Sequence, residues 1–174
     1  MNPNILACNA CLLKPSVSSI DLKPFLSANV YLDSDDLLIQ KLAKKAKGNA
    51  KTPKAIAHKL TQFVFRYMSN KNYEVGFATA SEVARKKAGD CTEHSVLLAA
   101  LGRALGIPSR VVTGLVYADE FENQKDVLVY HMWTQFYMDN QWVNLDSALG
   151  LVKCPADRIT FTVDSLEEDT IASV

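Results

Sequence analysis

The sequence predicts an α+β fold, with helices first and an antiparallel sheet after them. Three observations carry this. From residue 34 to about 105, apolar residues recur at helical spacing between capping signals. After Gly106-Ile107-Pro108 the period changes from 3.6 toward 2. No internal repeat, low-complexity block or second domain interrupts the 174 residues, a length that suits one domain.

Each element has its own signal. Residues 1–32 hold Pro3, Pro15 and Pro24 and several serines, and read as an arm or linker with short extended pieces near Val17–Ile20 and Val30–Leu32. A first helix is expected over about 34–47. Ser34, Asp35 and Asp36 make its first turn negative, Leu38, Leu42 and Ala46 line one face, and three lysines precede Gly48. Thr52-Pro53 starts a second helix, whose stripe of Ile56, Leu60, Phe63, Val64 and Tyr67 leaves His58 at the surface. A loop follows from Asn70 to Phe77. A third helix over 80–87 has Thr79 and Glu82 at capping-box spacing.

Asp90 and Glu93 repeat that spacing at the head of the most apolar helix, which runs from Cys91 through Leu105. Strands are expected at Arg110–Tyr117, within Val127–Met138, at Gln141–Leu145 and at Ile159–Val163. Asp139-Asn140 is a hairpin turn, and 118–126 a charged, exposed connection. Residues 166–174 form an acidic tail.

Composition excludes several functions. At 48% hydrophobic the chain can build a core. Nineteen Lys+Arg balance nineteen Asp+Glu, so no global charge points to nucleic acid or an anionic membrane. No apolar run reaches the roughly 18 residues of a membrane helix, so membrane insertion is not expected. Cys8, Cys11, Cys91 and Cys154 do not form a disulfide framework, and Cys154 reads as a packing residue. Ile5-Leu6-Ala7-Cys8 resembles the end of a lipoprotein signal, but what precedes it is too short and lacks a charged start. No signal peptide is expected, and the location stays open, with the cytoplasm slightly favoured.

Chemistry is expected at Cys91. A thiolate at a helix start is stabilised by unpaired N–H groups and the helix dipole. It becomes a catalyst when a base lies within reach and a third group orients that base. His131 in the second strand and Asp146 after the third are the candidates. A straight hairpin about residues 139 and 140 would set His131 opposite residue 148, so the pairing calls for a bulge or a different turn. His94, one turn from Cys91, is a rival base but shares the nucleophile's helix and has no visible orienting group. A Cys3His zinc site from Cys8, Cys11, Cys91 and His94 has the pair spacing. It is disfavoured by the long gap between the pairs, so neither metal nor cofactor is expected.

At these residues the chain resembles the transglutaminase-like superfamily, which includes bacterial cysteine-protease-like relatives. The match is carried by Gly89-Asp90-Cys91-Thr92-Glu93-His94-Ser95-Val96-Leu97-Leu98, by Leu101 and Arg103 through Gly114, by His131-Met132-Trp133, by Trp142 and by Asp146-Ser147. Met132, Ser147 and Ala148 depart from the family's His-Ala-Trp and post-aspartate Pro-Thr. The likeness covers about 34–150, within a catalytic domain placed at 33–165.

It implies a papain-like α+β core with the nucleophile helix packed on the antiparallel sheet. It also implies roles: Cys91 as nucleophile, His131 as base and acid, Asp146 as orienter, and Asn72, Tyr73 or Trp133 as oxyanion donor or rim. Tyr130 and Phe77 could line the groove. The implied reaction is acyl transfer on an amide of a protein or peptide substrate. Hydrolysis is favoured by the absence of large additional domains. Amine transfer, as in a transglutaminase proper, and a catalytically silent binding module within a longer protein remain open. An upstream domain of a longer chain is a candidate partner.

Overall fold

Among the described residues, four capped helices build one layer and a four-stranded sheet the other. The structure, a computed structural model, describes residues 21–68, 70 and 78–167. Helix α1 spans Leu37–Lys47, α2 Pro53–Tyr67, α3 Ala80–Lys86 and α4 Cys91–Ala104. The first helix starts at Leu37, after the expected 34, and Asp36 caps it, because its carboxylate accepts from the N–H groups of Leu38 and Ile39. Thr52 caps α2 with Pro53 in the first turn. Both predicted capping boxes are formed: Thr79 with Glu82, and Asp90 with Glu93. The extended piece expected at 30–32 is a bend, made when Asn29 Oδ1 accepts the Leu32 N–H at 2.8 Å and Leu32 turns into the core. The piece expected at Val17–Ile20 lies outside the described residues.

Helix α4 is the centre of the packing. Every residue from Glu93 to Arg103 is buried, which explains its weak sidedness in sequence. Helices α1, α2 and α3 lie against it on one side, and strands β1 (Ser109–Phe121) and β2 (Gln124–Met138) on the other. Contact with the sheet is close enough to require Gly102. A Cβ there would come within 2.3 Å of Ser109 Oγ and 2.6 Å of the Phe136 ring. Arg103, buried beside it, donates to the carbonyls of Ser109, Ser27 and Ser165, and so ties the segments before α1 and after the sheet to the central helix.

With β3 (Gln141–Leu145) and β4 (Arg158–Asp164) the strand order is β3-β2-β1-β4, antiparallel throughout. Strands β1 and β2 run further than the sequence suggests. The charged 118–126 segment continues both and reverses only at Glu122-Asn123. Those two residues have φ of 49° and 65°, and Asp139-Asn140 at the next hairpin 53° and 61°. Paired positive φ values match the twist of the flanking strands, and Asn and Asp tolerate them.

Alternation along β2 sends Met132, Thr134, Phe136 and Met138 toward the helices, where Thr134 Oγ1 donates to the Ser95 carbonyl. His131 and Trp133 point to the opposite face. There Trp133 forms a second small core with Val112 and Val116. Among the described residues no helix is long and apolar enough to cross a membrane.

Candidate active site

Cys91 is the first residue of α4, directly after the Asp90 cap. Asp90 Oδ1 accepts the Thr92 N–H at 2.8 Å, and Glu93 Oε2 accepts the Asp90 N–H at 2.9 Å. The cysteine is therefore presented on a rigid, doubly bonded turn at the positive end of the helix. Its side chain is partly exposed, in a cavity of about 190 Å³ shared with His94, Val129, Tyr130, His131 and Leu149.

His131 enters from the free edge of β2. Strand β3 pairs only with residues 134–138, so residue 131 lies past its end. The register is straight, with Met138 opposite Gln141 and Thr134 opposite Leu145, and no bulge intervenes. In place of a bulge or a different turn, the His–Asp approach is diagonal. Asp146 leaves β3 one residue after Leu145, on the same face as His131, and its Oδ2 meets His131 Nε2 at 2.8 Å.

The chain then wraps the carboxylate. The N–H groups of Ala148 and Leu149 both donate to Asp146 Oδ1 at 3.1 Å, and a backbone bridge joins Asp146 to Leu151. Ser147 Oγ donates to the His94 carbonyl and ties this turn to α4.

The electrostatics follow from burial and neighbours. The Asp146 side chain is only 1% exposed and that of His131 12%. Burial disfavours the Asp146 charge, but hydrogen bonds and charges from His131 and then Arg158 outweigh it and hold the carboxyl below its usual range. Burial likewise opposes a charged His131. Asp146 and Cys91, through hydrogen bonding and charge, override it and raise the imidazole to about 9. The ring thus has a carboxylate on Nε2 and Cys91 as its second hydrogen-bonding neighbour.

Other predicted residues have distinct places. Trp133 lies under the site: His131 stacks on it with centroids 6.4 Å apart, and its indole N–H donates to Asn144 Oδ1. His94 is buried, with Nδ1 2.6 Å from the Asp90 carbonyl. Cys154 is half-buried, and burial pushes its thiol up to about 11. Asn72, Tyr73, Phe77, Cys8 and Cys11 lie outside the described residues.

Arg158 was not anticipated. It donates from Nη1 to Asp146 Oδ2 at 2.9 Å and lies over the Trp133 ring. Its only sequence signal is an arginine at the start of a β-branched stretch, which carries no chemistry by itself.

Residues 40–147 match the transglutaminase-like superfamily. The chain belongs to that superfamily. Among solved structures, this transglutaminase-like chain is similar to a candidate cysteine protease from Cytophaga hutchinsonii, with 24% identity and a TM-score of 0.69 over 83% of this chain and 47% of that one. It is also similar to the periplasmic domain of TgpA from Pseudomonas aeruginosa, with 21% identity and a TM-score of 0.55 over 76% of this chain and 49% of that one. At these identities the likeness is one of fold. The chain spans about half the length of each. No curated protein matches it in sequence.

Proposed function

We propose that this transglutaminase-like domain catalyses acyl transfer on an amide bond of a peptide or protein, with water as the acceptor. The Cys91 thiolate attacks the amide carbonyl and forms the C–S bond. The resulting oxyanion lies at the helix start, where the Cys91 N–H is the natural donor. The His131 imidazolium gives its proton to the leaving nitrogen as the C–N bond breaks. Water then attacks the thioester, His131 takes one of its protons, and the C–S bond breaks to release the carboxylic acid and restore the Cys91 thiolate beside the protonated His131. Asp146 orients the ring and keeps it charged.

One observation carries the reading: a half-buried histidine, raised to about 9, that bonds Asp146 through Nε2 at 2.8 Å and interacts with Cys91 at a helix N-terminus. A purely structural histidine would not need a partly exposed cysteine on its other side. An amine in place of water would make the same acyl-enzyme serve amine transfer.

The test is the pH profile of Cys91 alkylation by iodoacetamide, with the labelled cysteine assigned by mass spectrometry, in the parent and in His131→Ala. Rapid labelling well below the ordinary thiol range, lost in the variant, supports the enzyme. Labelling like a free thiol in both would overturn the proposal in favour of a silent binding domain.

A further inference from the structure

Asp146 has two cationic partners on one oxygen. His131 Nε2 lies 2.8 Å and Arg158 Nη1 2.9 Å from Oδ2. Arg158 belongs to β4, the far edge of the sheet, so its side chain must cross β1 to reach a carboxylate beside β2 and β3. Three features make the crossing possible. Arg158 pairs with Val116, and the β1–β4 register shifts between Thr113 and Gly114. Gly114, opposite His131 on one side and Thr160 on the other, has no side chain in the way. A Cβ there would stand 2.0 Å from the Ile159 carbonyl oxygen and 2.9 Å from the Trp133 ring. The guanidinium then lies over Trp133, 5.4 Å from the ring centre, with Nε on Asp157 Oδ1 at 3.2 Å. Its side chain is 3% exposed. A buried arginine held from three sides, with one contact aimed at the orienting carboxylate, is expensive to install merely as packing.

We propose that Arg158 is a positioning residue, which clamps the Asp146 carboxylate against His131 and makes β4 part of the active site. This rests on the reading of Cys91, His131 and Asp146 given above, and extends it to a residue outside the 40–147 stretch that matches the superfamily. The clamp acts on charge and on geometry together. The guanidinium keeps Asp146 ionised in a buried corner, and its Nη1 bond to Oδ2, with Nε anchored on Asp157, holds the carboxylate beside the ring. The charged and titratable groups that face this corner are His131, Cys91, Arg158, Asp157 and Cys154.

The experiment uses the full chain and two readouts. The first is the Asp146 carboxyl titration followed by 13C NMR. The second is the acid limb of Cys91 alkylation by iodoacetamide. In Arg158→Gln and Arg158→Met both midpoints should move up by about one pH unit or more, the range an adjacent cation controls. Arg158→Lys, which keeps the charge, should return most of the shift. In an Asp146→Asn background, Arg158→Gln should leave the alkylation limb where it is, because the effect passes through Asp146. A merely structural arginine would lower the melting temperature and leave both midpoints in place, and that result overturns the proposal.

If neither neutral variant folds, Arg158→Lys decides. A lysine variant whose alkylation limb moves as far as that of Asp146→Asn rules out the clamp by charge. If parent Cys91 reacts like a free thiol, the catalytic reading fails. The NMR titration still reports whether Arg158 governs Asp146.

Discussion

His131 and Asp146 meet at 2.8 Å although the hairpin that carries them sets Trp133, not His131, opposite the position after Leu145. The contact is diagonal, across two residues of one strand face. It exists because β3 stops at Leu145 and the next turn folds the carboxylate back, with two N–H groups on its other oxygen. The pair has consequences for stability, reactivity and the strands that support it.

Folding stability should depend on pH in a defined window. His131 is raised from 6.5 to about 9 in the folded protein, so its contribution is complete below 6.5 and is lost as pH rises through about 9. Asp146 is lowered from 3.8, so its contribution is present above that value and is lost as pH falls through the depressed one. Urea unfolding of the parent and of His131→Ala should therefore differ most below pH 6.5, with the difference shrinking up to about 9. A difference that stays constant over that range would contradict the pairing.

Asp146→Asn should separate the two roles of the carboxylate. The amide can still accept from Ala148 and Leu149, but it carries no charge for His131 or Arg158. The His131 titration, followed by imidazole NMR, should fall back toward 6.5, and Cys91 alkylation at pH 7 should slow by roughly tenfold or more. Leaving Arg158 buried without this partner should also cost about 3 kcal/mol in urea unfolding.

Two glycines should resist replacement for reasons of space. Gly102→Ala improves helix propensity by about 1 kcal/mol yet drives a methyl toward Ser109 and Phe136, so a net loss of about 1–3 kcal/mol is expected from urea unfolding. Gly114→Ala forces β4 away from Trp133 and should slow Cys91 alkylation as well as lower stability. Normal alkylation in a folded Gly114→Ala protein would mean that the close approach of β4 does not matter to the site.

The Asp90 cap should affect both the helix and the thiol it presents. Asp90→Ala removes the acceptor for the Thr92 N–H and should cost about 1 kcal/mol, whereas Asp90→Ser should retain most of the stability. Thermal melts of the two variants, with the alkylation rate of each, distinguish loss of the cap from loss of the charge.

Local chemistry made most of the fold legible in advance. Asp90 and Glu93 cap α4 through bonds between residues three apart, and Asp139-Asn140 turns the β2–β3 hairpin through its own backbone preference. Signals of this kind need no knowledge of distant residues. Candidates for chemistry were legible for the same reason: Cys91 follows a cap, and His131 and Asp146 flank one hairpin. The sequence by itself determined the α+β order of elements, the cysteine at a helix start and the residue types around it.

Only the tertiary structure decided how they meet. The straight β2–β3 register, the diagonal reach of Asp146, the stacking of His131 on Trp133 and the crossing of Arg158 over Gly114 all depend on where strands lie side by side. Arg158 is twelve residues past Asp146 and on the opposite edge of the sheet, so no periodicity or spacing could assign it. Buried charges are set by partners that are close in space, and those partners become neighbours only when the strands have paired.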